Sequence, residues 1–264
     1  MGARTRALIY ALLALLVGGL AYLLGVGSTL GQRAEASVLD ASAFTADPPA
    51  PLSLVSTGSV IVALIVVGLI SLWAHGFGRT LSILLFGSAA IVVSQLLKES
   101  WLDRPQLFEL DASNTFPSGH MTVFAVLSGG LIWAVPKGIR ALVVVMSALL
   151  LGVVSWQLLN FGWHRPSDLL GAQALAVLVF AIAAWIGPRG SRTSARMTSA
   201  ANSFVSRLAL VVLTVGGIAL VLGGLVLVAV AASTRSDALM LNAGEIAMMG
   251  VGALAARTFA KLCP

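Results

Sequence analysis

Apolar runs long enough to cross a bilayer recur eight times along this chain, and no other feature constrains its fold as strongly. They cover about 7–27, 53–74, 80–97, 119–135, 140–160, 167–187, 207–232 and 238–256. A helix that spans the hydrocarbon core needs roughly 20 apolar residues. The expectation is an all-α, polytopic transmembrane helical bundle of about eight spans. Composition agrees. Apolar residues make up 58% of the 264 and charged residues 10%, which excludes a soluble globular domain and a disordered chain.

The charges then orient the spans. Arg4 and Arg6 precede the first run, whose length exceeds a signal-peptide core, so it reads as an uncleaved anchor. Arg6 also breaks the myristoylation pattern. Alternation from a cytoplasmic N-terminus puts eleven of the sixteen Lys and Arg on the cytoplasmic side, Arg79, Lys137, Arg140 and Arg257 among them. That bias follows the positive-inside rule and suits a bacterial-type plasma membrane. It accounts for the net charge of +6 without nucleic acid. Cys263 is the single cysteine, so no internal disulfide forms, and no Cys/His spacing suggests a metal.

Between the spans, residues 28–52 are small, polar and proline-containing and read as a flexible external loop. Residues 188–206 read as a basic, solvated cytoplasmic linker. They divide a six-span domain over 1–187 from an accessory two-helix segment over 207–264. Gly216-Gly217 and Gly223-Gly224 suit close helix packing there. Glu245 lies inside the last span and is assigned a structural role.

Three polar clusters interrupt the apolar pattern, all on the outer face. They are Lys98-Glu-Ser-Trp-Leu-Asp-Arg104-Pro105, Phe116-Pro-Ser-Gly-His120 and Gly162-Trp-His-Arg-Pro-Ser-Asp168. Lys98, Arg104 and Arg165 are cations suited to phosphate oxygens. Pro117-Ser118-Gly119 leads into a helix whose unpaired N–H groups attract an anion, and Gly119 permits close approach. His164 and Asp168 are four residues apart, which lets the carboxylate fix the imidazole tautomer. A neutral imidazole attacks phosphorus, and His120 has the pKa range to protonate a leaving oxygen.

These residues resemble the type-2 phosphatidic acid phosphatase and haloperoxidase superfamily, over about residues 90–187. Its generic motifs are Lys-x6-Arg-Pro, Pro-Ser-Gly-His and Ser-Arg-x5-His-x3-Asp. The second matches fully at Pro117–His120, and the third matches at His164 and Asp168. The resemblance implies a helical-bundle core, His164 as nucleophile, Asp168 as its orienting group and His120 as acid and base. It implies phosphate binding by Lys98, Arg104, Ser118 and Gly119, with no metal and no other cofactor. Two departures stand out. Five residues separate Lys98 from Arg104 instead of six, and the third motif's Ser-Arg falls on Gln157-Leu158. Arg165 is the expected replacement for the missing arginine.

The functional expectation is a membrane phosphatase acting on a prenyl or glycerolipid phosphate, or diphosphate, at the outer leaflet through a phosphohistidine. Its partners are that substrate, membrane lipids and, through the extra helix pair, a second copy of the chain. A lipid phosphotransferase and a non-catalytic lipid-phosphate binder or transporter are the alternatives. A haloperoxidase is more distant, because the soluble members of that branch do not look like this chain.

Overall fold

The computed structural model describes residues 2–108, 112–187 and 200–263. Most of the linker expected over 188–206, with Arg189, Arg192 and Arg196, lies outside the described residues, as do Glu109 and Asp111.

The described residues form an all-α bundle. Helices α1 (Ala3–Leu20), α2 (Thr29–Asp40), α3 (Thr57–His75), α4 (Phe77–Leu96), α5 (Gly119–Ala134), α6 (Lys137–Asn160), α7 (Pro166–Ile186), α8 (Ala200–Thr234) and α9 (Asp237–Leu262) follow one another. π-helical turns extend α1 over Ala21–Val26 and α4 over Leu97–Trp101. With those turns, seven helices are long and apolar enough to cross a membrane. The fourth expected span, α5, has only 16 residues, and the rest of the bundle surrounds most of it. Large side chains such as Leu12, Ile65, Leu142 and Val215 are exposed around the outside. Lipid makes that arrangement stable, because apolar surface facing hydrocarbon carries no penalty. Exposed Trp73 and Trp185 lie near the ends of α3 and α7, and Trp101 and Trp156 near the opposite ends of α4 and α6. Indole rings favour the two membrane–water interfaces.

Small residues and aromatic rings set the internal packing. Gly129 on α5 makes room for Phe180 of α7 and Phe259 of α9, because a Cβ there would sit 3.0 Å from both rings. Trp133, Phe180 and Phe259 stack edge to face at 5.0 and 5.3 Å. The Trp133 indole N–H also donates to the Phe259 carbonyl. So α9 shares the core of α5 and α7. α8 packs on α9 through glycines: a Cβ on Gly224 would meet the Ala247 Cβ at 2.7 Å.

Two stretches differ from expectation. The segment over 28–52 contains α2, capped by Ser28, whose side chain accepts from the Gly31 N–H. Gln32, Glu35, Ala36 and Val38 of α2 are buried, so the segment is a folded cover over the bundle end. Gln32 spans it, donating to the carbonyls of Val26 and Pro105 and accepting from the Phe108 N–H. Backbone carbonyls need partners once buried, and a glutamine amide supplies two donors. The last seven residues of the expected linker, 200–206, belong to α8.

Candidate active site

All three polar clusters meet at the end of the bundle that α2 covers. Asn114 holds the first to the second: its amide donates to the carbonyls of Lys98, Leu102 and Phe116. The Phe116 ring then fits against Gly171 of α7, where a Cβ would be 2.3 Å from it. That contact sets the height of Pro117-Ser118-Gly119-His120. Ser118 is fully buried, caps α5 by accepting from the Met121 N–H, and donates its own N–H to the Asp168 carbonyl at 3.0 Å. The starts of α5 and α7 are thus tied together, and their positive dipole ends lie side by side.

Asp168 is the centre of the third cluster. It is completely buried, and its Oδ2 accepts from Thr115 Oγ1 at 2.7 Å and from the Arg165 N–H at 3.0 Å. His164 Nδ1 lies 3.2 Å from the same oxygen. A carboxylate held this way fixes the Nδ1–H tautomer and leaves Nε2 as the basic nitrogen. The His120 ring faces that of His164 at 6.3 Å and packs edge-on to Trp163 at 5.5 Å. Burial, and then the nearby His164 and Lys98 charges, lower the His120 pKa to about 4. The third histidine, His75, lies at the opposite end of the bundle, on the Val135 carbonyl.

The cations divide. Arg165 turns inward: it is buried, and its Nη1 donates to Thr115 Oγ1 at 3.1 Å. Its guanidinium therefore adjoins the Asp168–His164 pair. Lys98 is half-buried at the end of α4. Gln95, one turn before it, places its amide nitrogen where a Cβ on Gly119 would be, at 2.8 Å. Arg104 is buried and forms a 3.8 Å ion pair with Glu35 of α2. The expected phosphate ligand is thus engaged by a carboxylate that the sequence had placed in a loop. Glu35 also accepts the Ser167 N–H at 3.1 Å. Burial is the main reason its pKa rises to about 7, and the nearby Asp168 charge adds to it.

The missing motif arginine has a local explanation. Leu158 is fully buried in the apolar core, and its carbonyl receives the N–H groups of Trp163 and His164. Gln157 donates to the carbonyls of Pro49 and Ala50 and so staples the segment that follows α2. Both positions serve the turn that presents His164. Sequence reasoning passed over Thr115, Glu35 and Gln95. Thr115 stands directly before the Phe-Pro-Ser-Gly-His run, and that adjacency was the available signal. Glu35 is one of three acids in the polar stretch over 28–52, with Asp40 and Asp47, and gave none.

Compared with known proteins, the chain matches no family model, no curated protein and no solved structure.

Proposed function

We propose that this protein is an integral membrane phosphatase that hydrolyses a lipid phosphate or diphosphate through a phosphohistidine. The observation that carries the reading is the cluster Asp168–His164–Arg165–Thr115 facing His120 across 6.3 Å at one end of a membrane bundle. The substrate phosphoryl group lies between the imidazoles, with Lys98 and Arg165 offsetting its charge. His164 Nε2 attacks phosphorus as the bond to the lipid oxygen breaks. Asp168 stabilises the imidazolium that forms. His120, which takes up its proton when the phosphate anion binds beside it, gives that proton to the leaving oxygen. Water then attacks the phosphohistidine, His120 takes the water proton, and inorganic phosphate leaves with His164 restored. Helix dipoles at Ser118–Gly119 and at Pro166 favour the anion throughout. The site lies at an end of the spans, level with a headgroup. The positive-inside bias supports placing that end at the outer face of a plasma membrane.

Two observations favour a second reading. Arg104 is held by Glu35, and Leu158 offers no charge, so a binder of lipid phosphate that does not turn it over also fits. Phosphate release by the detergent-solubilised protein, with EDTA present, separates the two. Release from lipid phosphates that vanishes in His164→Ala, with a ³²P-labelled protein adduct trapped by acid quench, is the expected result. Lipid binding with no release from any substrate sinks the phosphatase reading and leaves the binder.

A further inference from the structure

Two adjoining cavities, of about 490 and 540 Å³, run beside the candidate site along α1 and α7, with α8 and α9 as the other wall. Val17, Leu170, Leu225, Ala247 and Met248 line both, so they form one continuous groove. At its upper end are Gly25, Glu35, Pro166 and Ser167, the residues next to His164 and Asp168. At its lower end are Tyr10 and Thr258, where the Arg257 guanidinium bonds the Tyr10 hydroxyl and closes the track. Between them the lining is apolar except for Gln173, which is buried with neither amide atom hydrogen-bonded. None of the candidate site residues itself lines the groove, but Pro166 and Ser167 stand between Arg165 and Asp168 in the chain; a third cavity, of about 510 Å³ between α3, α5 and α6, has no such neighbour in its lining.

The groove is deep. Tyr10 and Gly25 are fifteen residues apart on one helix and its π-turn extension, which is about 20 Å at the helical rise. One leaflet contributes only about 15 Å of hydrocarbon. An ordinary acyl tail anchored at the headgroup has no need of a guide that passes the midplane. A polyprenyl chain is longer than a leaflet and does. Its double bonds also offer π-faces that a buried amide N–H contacts weakly, as a saturated chain cannot.

We infer that the α8–α9 hairpin, with α1 and α7, forms a guide for the single long tail of a polyprenyl phosphate whose headgroup sits at His164. This rests on the phosphatase reading only for the headgroup's fate, not for the binding. It gives the C-terminal helix pair a role in substrate selection.

Photo-crosslinking tests the binding directly. The probe is a long-chain polyprenyl phosphate with a diazirine on the isoprene unit about 20 Å from the phosphate, and the protein is full-length His164→Ala in nanodiscs. Adducts are expected near Tyr10, Val221 and Leu254. Adducts beside Val66, Leu127 or Met146, in the third cavity, overturn the inference. So does competition by a diacyl phosphatidate as strong as that by unlabelled polyprenyl phosphate. Kinetics supply the second arm. Val17 and Leu225 both have open space toward lipid. Val17→Trp and Leu225→Trp are expected to raise KM for the long-chain substrate about tenfold with kcat unchanged, the signature of lost uniform binding. Geranyl phosphate, too short to reach either residue, is expected to be unaffected. Equal losses on both substrates overturn the inference. Adducts in the groove without phosphate release from wild type leave the guide standing and remove the phosphatase. Phosphate release with adducts elsewhere does the reverse.

Discussion

Arg165 is the residue on which the site's charge balance turns. It stands next to His164, and its guanidinium reaches Thr115 Oγ1 inside the cluster. Removing one preorganised donor from a developing oxyanion costs about 10²–10³ in rate. Arg165→Ala is therefore expected to lower kcat by that factor in a phosphate-release assay, while Arg165→Lys, a point charge without the fork, recovers part of it. Wild-type turnover in Arg165→Ala means that Lys98 suffices. Thr115 acts through Asp168, donating at 2.7 Å. Thr115→Val removes that bond and shifts how firmly the carboxylate holds His164. The expected outcome is a kcat reduced about tenfold with KM unchanged, the mark of an interaction that matters more at the transition state, and a displaced acid limb in the pH–rate profile. Thr115→Ser, which keeps the hydroxyl, should behave as wild type. The His164–Asp168 contact and the Ser118 cap were legible in the sequence because each is local, four and three residues apart. Arg104 was not, since its partner Glu35 lies 69 positions away and only the fold brings them together.

At the scale of elements, each hydrophobic run marked a helix, because length and apolarity decide what crosses a bilayer, but the fourth, α5, has 16 residues and is not among the seven long enough to cross. Helix α2 was missed for a physical reason. Its buried face carries Gln32 and Glu35, so the polarity of the segment reads as solvent-facing when it is in fact bonded inward. The approach of α7 to the second motif was equally invisible, and Gly171 sets it. A Cβ at that position would fall 2.3 Å from the Phe116 ring, inside van der Waals contact. Gly171→Ala must therefore push Phe116, and Pro117-Ser118-Gly119 with it, off the start of α7. Overpacking of this kind typically costs about 1–3 kcal/mol. We expect a lower thermal midpoint in detergent and a larger loss of kcat than the stability change explains. Adding Phe116→Leu in the same chain relieves the contact and should return part of the stability. If Gly171→Ala alone leaves both quantities unchanged, α7 does not set the height of the motif.

For the whole molecule, the covered end of the bundle links stability to pH through Glu35. The groups facing it are Arg104 from the segment after α4, and Asp168 and the Ser167 N–H from α7. Burial and Asp168 oppose ionisation, while Arg104 and the Ser167 N–H favour it, and the balance raises the carboxyl from 4.5 to about 7. The folded state thus binds this proton more tightly than the unfolded chain does. Its contribution is fully present below about pH 4.5 and is lost as pH rises through about 7. The span of that shift corresponds to about 3 kcal/mol. α2, the Arg104 segment and α7 all meet at this carboxyl, so its loss loosens the cover as a unit and not one side chain. Between about pH 5 and 7.5 the thermal midpoint of wild type should fall relative to that of Glu35→Gln. The glutamine still accepts the Ser167 N–H but has no proton to lose. Parallel curves for the two proteins across this range would show that Arg104 keeps Glu35 ionised throughout, and that the covered end is an ion pair at every pH where the protein is folded.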